Sequence, residues 1–120
     1  MKSLKLVLFI FLVAVAAFNL NACTVRVGDL TVVATQNVNL DHVDLDKLPQ
    51  TKGIRGEDSV FIFLFIPFGV PNLKEAIDDA MQKGNGDVLV DAVIYESGWW
   101  FLVGQRTIEV KGTVVKTRNK

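Results

Sequence analysis

The sequence predicts an α+β fold, with one amphipathic helix packed on one face of a mostly antiparallel sheet of about five strands. Residues 72–83 repeat apolar side chains with helical spacing, whereas the other apolar segments are short and rich in β-branched residues. The last three strand segments are joined by short turns, which make neighbouring strands antiparallel. A two-layer arrangement is the simplest way for one helix to cover such a sheet.

The first 22 residues have the pattern of an export signal that is removed from the mature protein. Lys2 and Lys5 give a positively charged start, and residues 6–18 are an unbroken run of 13 apolar residues. A helix of that length rises only about 20 Å. It is too short for a hydrocarbon core of about 30 Å, so we interpret the segment as a signal peptide.

The segment Leu20-Asn21-Ala22-Cys23 follows this run and resembles the lipobox of bacterial lipoproteins. The resemblance implies signal cleavage between Ala22 and Cys23, a diacylglyceryl group on the Cys23 thiol, and acylation of the new amine by a fatty acid such as palmitate. Thr24 stands where an aspartate would retain such a protein in the inner membrane, which implies the outer membrane, facing the periplasm. The alternative is an incidental cysteine behind an ordinary signal peptide or N-terminal membrane anchor.

The predicted mature chain is a small, slightly acidic domain. Lys2 and Lys5 leave with the signal, so 11 of the 13 basic residues and all 13 acidic residues remain, a net charge of −2. This charge excludes the electrostatic footprint of a nucleic-acid-binding protein. Cys23 is the only cysteine, so the domain has no internal disulfide. We expect residues 23–29 to be a lipidated N-terminus and tether, and residues 30–120 to form one domain.

Strands are predicted from β-branched and apolar runs. The first is 30–35, followed by a polar loop at 49–56. Residues 60–66 are apolar throughout, so this strand is expected to be covered on both faces, with a partner or lipid surface as the alternative cover. The remaining predictions are strands at 87–95, 99–103 and 107–116, a turn at 96–98, and a bulge or close-packing point at Gly112.

Residues 72–83 are the clearest helix. Asn72 is the predicted N-cap and Glu75 completes a capping box, while Gly84 is the expected stop. One stripe is predicted to be buried: Leu73, Ala76, Ile77, Ala80 and Met81. The opposite side is predicted to face solvent: Glu75, Asp78, Asp79 and Lys83.

Few side chains of the mature chain suit catalysis or metal binding. His42 is the only histidine, and the two serines, Ser59 and Ser97, do not lie in nucleophile-elbow sequences. The acidic residues around His42 lack the glycine turn and final glutamate of a calcium loop, so an exposed loop is the preferred interpretation. We therefore expect no enzymatic activity, no metal and no cofactor.

Trp99, Trp100 and Phe101 are the candidate interaction surface. Tryptophan is enriched at protein interfaces and at membrane–water boundaries. Strand alternation predicts one of the two tryptophans in the core and the other outside.

The C-terminal part of the chain, from LKEAIDDAMQKG through GDVLVDAVIY to GQRTIEVKGTVVK, resembles TRL-like lipoproteins over residues 71–116. That family has no established catalytic residues, and the resemblance implies an envelope location. The expected function is a membrane-anchored envelope lipoprotein acting as a non-enzymatic module for an envelope protein partner. A small-ligand-binding or lipid-binding envelope protein is the alternative.

Overall fold

The computed structural model of the chain describes residues 1–18 and 23–117, and its fold is α+β as the sequence predicts. Helix α1 spans Lys2–Phe18 and helix α2 spans Leu73–Gly84. Five strands form one antiparallel sheet in the order β1-β4-β5-β2-β3: β1 (Cys23–Val33), β2 (Gln50–Phe63), β3 (Ile66–Pro67), β4 (Val88–Trp100) and β5 (Val103–Val115). A single 3₁₀ turn, Leu45–Lys47, lies in the connection between β1 and β2.

Helix α2 has the predicted N-cap and ends one residue later than expected, but the predicted capping box is wrong, because the Asn72 N–H donates to Asp58 Oδ2 instead of Glu75. The Asn72 side chain accepts a hydrogen bond from the backbone N–H of Lys74 at 2.9 Å, which caps the first turn. At the other end Asn85, with φ of 53°, takes the left-handed conformation expected of a C-terminal glycine. Gly84 is the last helical residue, and its role is close packing, because a Cβ there would lie 2.7 Å from Val114 Cγ1.

The core lies between α2 and the centre of the sheet. The predicted stripe is confirmed, since Ala76, Ile77, Ala80 and Met81 are buried and Leu73 packs against them partly buried. They meet four buried side chains of β4 and β5: Leu89, Ala92, Val110 and Val114. The residues that form this core and pack against it lie between Leu30 and Val114, so we expect residues 23–120 to fold without α1.

The closest contact between helix and sheet is at Gly56, in a segment that the sequence predicts to be a loop. That prediction is wrong, because β2 runs through residues 50–63 and Gly56 pairs with Val110. A Cβ on Gly56 would stand 2.7 Å from Ala80 Cβ and would also collide with the backbone of Ala76 and Ala80. The missing side chain therefore lets the helix backbone lie directly on the strand.

Two further predictions are wrong because local composition is overridden by strand pairing. The predicted turn at 96–98 belongs to β4, where Ser97 pairs with Thr107 of β5 and with Thr24 of β1. The predicted tether at 23–29 is the first part of β1, in which Cys23 pairs with Gly98. Backbone groups that a turn or tether would leave to water are instead hydrogen-bonded in the sheet.

Gly112 is a close-packing point, as predicted. A Cβ at this position would lie 3.1 Å from Ala92 Cβ and 3.1 Å from Leu89 Cδ1. The ladder register shifts opposite it, between Val90 and Val93 of β4, where Asp91 has a φ of 49°. The extra residue in β4 therefore turns Ala92 inward over the glycine.

The sequence predicts that two aspartates of α2 only face solvent, but both also form hydrogen bonds with other parts of the domain. Asp78 accepts hydrogen bonds from the Thr35 hydroxyl and from Lys74 Nζ, the latter at 2.6 Å. Asp79 Oδ2 accepts from the backbone N–H of Glu57 at 3.0 Å and from Lys83 Nζ at 2.6 Å. The carboxylates thereby bind the loop after β1 and the edge of β2 to the helix.

These contacts lower the pKa of both carboxyl groups. The hydrogen bonds from Lys74 and then Thr35 lower the pKa of Asp78 below its ordinary value of 3.8. For Asp79, burial raises the pKa, but the hydrogen bonds from Lys83 and Glu57 and the positive charge of Lys83 together outweigh it, so the pKa falls below 3.8. Each group therefore favours the folded state when it is ionised.

Replacing Gly56 with alanine should lower the free energy of unfolding of residues 23–120 by about 3 kcal/mol or more, because the new methyl group forces the helix off the strand. Urea denaturation followed by circular dichroism measures this value. Gly28→Ala is the matched control, since nothing lies within 4 Å of a Cβ built there. Equal losses in the two variants would contradict the contact.

Acid should destabilise the domain through Asp78 and Asp79. Their folded-state pKa values lie below 3.8, so their contribution is present above that pH and is lost as the pH falls through the lowered values. Asp78→Asn and Asp79→Asn should each reduce the neutral-pH free energy of unfolding by about 1 kcal/mol and flatten its fall in acid. Urea titrations over an acid pH series test this. Asp41→Asn, in the exposed loop before the 3₁₀ turn, should keep the acid dependence of the unchanged chain.

Candidate functional site

Two hairpin turns meet at one end of the sheet and expose large apolar side chains. We call this surface the apolar end, and define it as Phe61, Phe63, Leu64, Phe65, Ile66, Phe68, Val70, Trp99, Trp100, Phe101, Leu102 and Val103. Phe65 is 83% exposed and Val70 is 78% exposed. A contiguous apolar group of this kind on a small domain is typical of a protein or membrane contact.

Hydrogen bonds and ring packing join the two turns. The backbone N–H of Leu64 donates to the carbonyl of Leu102 at 2.7 Å, and Trp100 Nε1 donates to the carbonyl of Leu64. The rings of Phe65 and Trp100 pack at a tilt, with 5.0 Å between their centroids. The apolar end is therefore one structured surface and not two independent loops.

The turn between β2 and β3 carries apolar residues, although its backbone conformation favours other residue types. Leu64 and Phe65 connect the paired residues Phe63 and Ile66, and Leu64 has a φ of 55°. Two-residue turns with positive φ favour asparagine or glycine, and a leucine in this region costs about 1–2 kcal/mol. The chain keeps an apolar side chain here at the expense of stability, which indicates a role for it outside the fold.

No charged residue occurs in residues 59–73 or 97–105, which include the whole apolar end. The first charged groups on the neighbouring strands form a pair, with Arg106 Nε donating to Glu96 Oε1 at 2.5 Å. A polar pair, Ser59 Oγ and Thr107 Oγ1, 2.8 Å apart, lies one residue farther from the apolar end than Arg106 and level with Ser97. The surface thus changes from apolar to a mixture of polar and charged groups along the strands.

Trp99 and Trp100, predicted as part of an interaction surface, both belong to the apolar end. The expectation that one of them lies in the core is wrong. Trp99 is 41% exposed and Trp100 is 49% exposed. Alternation sends successive side chains to opposite faces, but the core under α2 does not extend to this end of the sheet. For the same reason the predicted cover on both faces of residues 60–66 is missing at Phe61, Phe63 and Phe65, which are all exposed.

Cys23 lies at the same end of the sheet as the two tryptophans. Its side chain is exposed, and its strand partner is Gly98, the residue before Trp99. Sequence reasoning identified Cys23 and the tryptophans separately, because only the register of β1 on β4 brings them together. The other residues of the predicted lipobox, Leu20, Asn21 and Ala22, lie outside the described residues.

The acidic loop around His42 has local structural roles. Asp44 caps the 3₁₀ turn by accepting a hydrogen bond from the backbone N–H of Asp46, and it pairs with Lys47 at 2.8 Å. The Asn39 side chain accepts from the backbone N–H of Asp41. In residues 1–18 and 23–117, no three His, Cys, Asp or Glu side chains come together in a group that could hold a metal ion.

Two open cavities lie away from the apolar end. The larger, of about 550 Å³, runs beside α2 and is lined mostly by polar residues, among them Thr35, Lys74 and Asp78. The other, of about 290 Å³, lies on the sheet face opposite α2, where Arg55 and Glu109 form an ion pair at 3.6 Å. Neither has the apolar lining expected of a lipid pocket.

Asparagine in place of Leu64 should raise the free energy of unfolding of residues 23–120 by about 1 kcal/mol, because asparagine tolerates positive φ. Leu102→Asn is the matched control, since Leu102 is an exposed residue of the other turn and has no positive φ. Urea denaturation of both variants measures the difference. Stabilisation by both changes, or by neither, would contradict the strain assigned to Leu64.

Comparison with known proteins identifies no relative of this chain. Among the described residues, no helix is both long enough and apolar enough to cross a membrane. The resemblance of residues 71–116 to TRL-like lipoproteins stays a prediction. No family model matches the chain, and no curated protein or solved structure is significantly similar to it.

Proposed function

We propose that this chain is a bacterial envelope lipoprotein, held on the outer membrane by a lipid on Cys23, and that it acts as a non-enzymatic interaction module. Its contact surface is the apolar end. The observation that carries the proposal is the position of the exposed Cys23, which stands at the edge of the apolar end and directly follows the segment with the pattern of an export signal.

The surroundings of Cys23 suit a lipid acceptor. Its side chain is exposed at the first residue of β1, so the thiol is open to a modifying enzyme. Helix α1 exposes its apolar side chains from Leu4 to Val13, as expected of a signal segment and not of a core helix. The spacing of Cys23 from this segment matches the lipobox that the sequence resembles.

The contacts of the polar side chains support a non-enzymatic role. The Ser59 hydroxyl shares a hydrogen bond with Thr107 across two strands. The Asp58 carboxylate accepts from the backbone N–H of Asn72 at 2.7 Å, and so holds the start of α2. Ser59 and Asp58 are thus engaged in joining elements, whereas the apolar end exposes twelve large apolar side chains that a partner could cover.

Intact-mass analysis of protein extracted from bacterial membranes tests the anchor. We expect the unchanged chain to lack residues 1–22 and to carry added mass equal to a diacylglyceryl group and one acyl chain. Cys23→Ala should keep residues 1–22 and carry no lipid, because the thioether cannot form. Thr24→Ala is the matched control and should be processed and acylated as the unchanged chain is. A secreted, unacylated wild type would contradict the proposal.

A further inference from the structure

Cys23 is fixed to the sheet without a flexible linker. It is the first residue of β1, and the register runs from Cys23 opposite Gly98 through Thr24 opposite Ser97 to Val25 opposite Glu96. A lipid on this thiol would therefore stand at a set height on the domain, one residue short of Trp99. The distance between the membrane and the apolar end is therefore limited by the length of the Cys23 side chain and its lipid glycerol.

The height of the apolar end beyond Cys23 matches the depth of a membrane interface. From Gly98 to the turn at Phe101 the chain advances three residues along an extended strand, which is about 10 Å. Interfacial helices bury their apolar face about 5–10 Å into the boundary between headgroups and acyl chains. With the glycerol of the Cys23 lipid at the headgroup level, the apolar end reaches the start of the acyl chains.

The chemistry of the apolar end also fits lipid better than water. Residues 59–73 and 97–105 carry no charge, and tryptophan, present here twice, is the residue enriched at membrane interfaces. Backbone groups in lipid must be paired within the protein. Three backbone N–H groups at the turns are paired in this way: Leu64 N–H donates to Leu102, Phe101 N–H donates to Val103, and Phe68 N–H donates to Phe61.

We propose that the apolar end is immersed in the interface of the same membrane leaflet that holds the Cys23 lipid. This inference rests on the proposed function and names its partner as a phospholipid bilayer. The Glu96–Arg106 pair, which follows the apolar end along β4 and β5, then lies at the water boundary. The helix, the core and both cavities stay on the aqueous side.

Both tryptophans of the chain, Trp99 and Trp100, belong to the apolar end, so tryptophan fluorescence reports on this surface alone. The acylated mature protein is reconstituted into phosphatidylethanolamine–phosphatidylglycerol vesicles that carry bromine on the acyl chains, near the carbonyl or near the methyl end. Immersion predicts about twofold lower emission than in unbrominated vesicles. Bromine near the carbonyl should quench more strongly than bromine near the methyl end.

Charged substitutions at the apolar end provide a matched comparison. Phe65→Asp and Phe68→Asp alter side chains that are 83% and 68% exposed, so they leave the core intact. Each should at least halve the quenching by brominated lipid, because a carboxylate resists entry into the interface. Leu40→Asp places the same charge on an exposed apolar residue of the loop between β1 and β2, and should leave the quenching unchanged.

The outcomes separate this inference from the anchor. Acylated protein that floats with the vesicles but shows equal emission with and without bromine would overturn immersion. Burial of the apolar end against a second copy of the chain would also overturn it. Such burial would appear as concentration-dependent crosslinking, with the tryptophans protected from acrylamide equally in unbrominated and brominated vesicles. If intact mass shows no lipid on Cys23 and the unacylated mature protein still gives quenched tryptophans with brominated vesicles, the lipid anchor is contradicted and immersion of the apolar end is supported.

Discussion

The contact of α2 with β2 at Gly56 is the constraint on which the rest of the structure depends. A helix separated from a strand by side chains on both sides could slide or rotate, but here the buried Ala76 and Ala80 meet Gly56, a strand residue without a side chain. This fixes the helix over the inner part of the sheet. It also leaves the outer ends of β2, β4 and β5 without a second layer, so their apolar residues stay exposed.

The fold class and the helix could be predicted from sequence because their signals are local. The stripe from Leu73 to Met81 and the Asn72 cap lie within one short segment, and both are confirmed. The polar segment 49–56 has the composition of a loop, since its glycines and charges suit a turn as well as an edge strand facing a helix. Ser97 and Gly98 likewise have the composition of a turn, because their partners on β1, Thr24 and Cys23, are far away in sequence.

The residue types of the candidate site could be predicted from the sequence, but its exposure and its strand pairing could not. Cys23 and the tryptophans stand out by residue type, but the segments beside them, 23–29 and 96–98, have the composition of a tether and a turn although both are strand. Alternation says nothing of where the second layer stops, and so the exposure of both tryptophans and of Phe61 and Phe63 could not be predicted. Nor could the meeting of Cys23 with Gly98, which depends on how the first strand of the domain adds to the fourth. The surface is a property of topology more than of any motif.

The start of β1 at Cys23 has a geometric consequence for the remainder of the domain. A lipoprotein with a long linker explores a hemisphere above its membrane and can meet partners at many heights and angles. When the lipidated residue is itself paired in the sheet, as Cys23 is, most of that freedom is lost, because the domain cannot rotate without moving the lipid. A lipid on Cys23 would give α2 and the charged face around Arg55 a constant direction relative to the membrane normal, so that anchoring also specifies orientation.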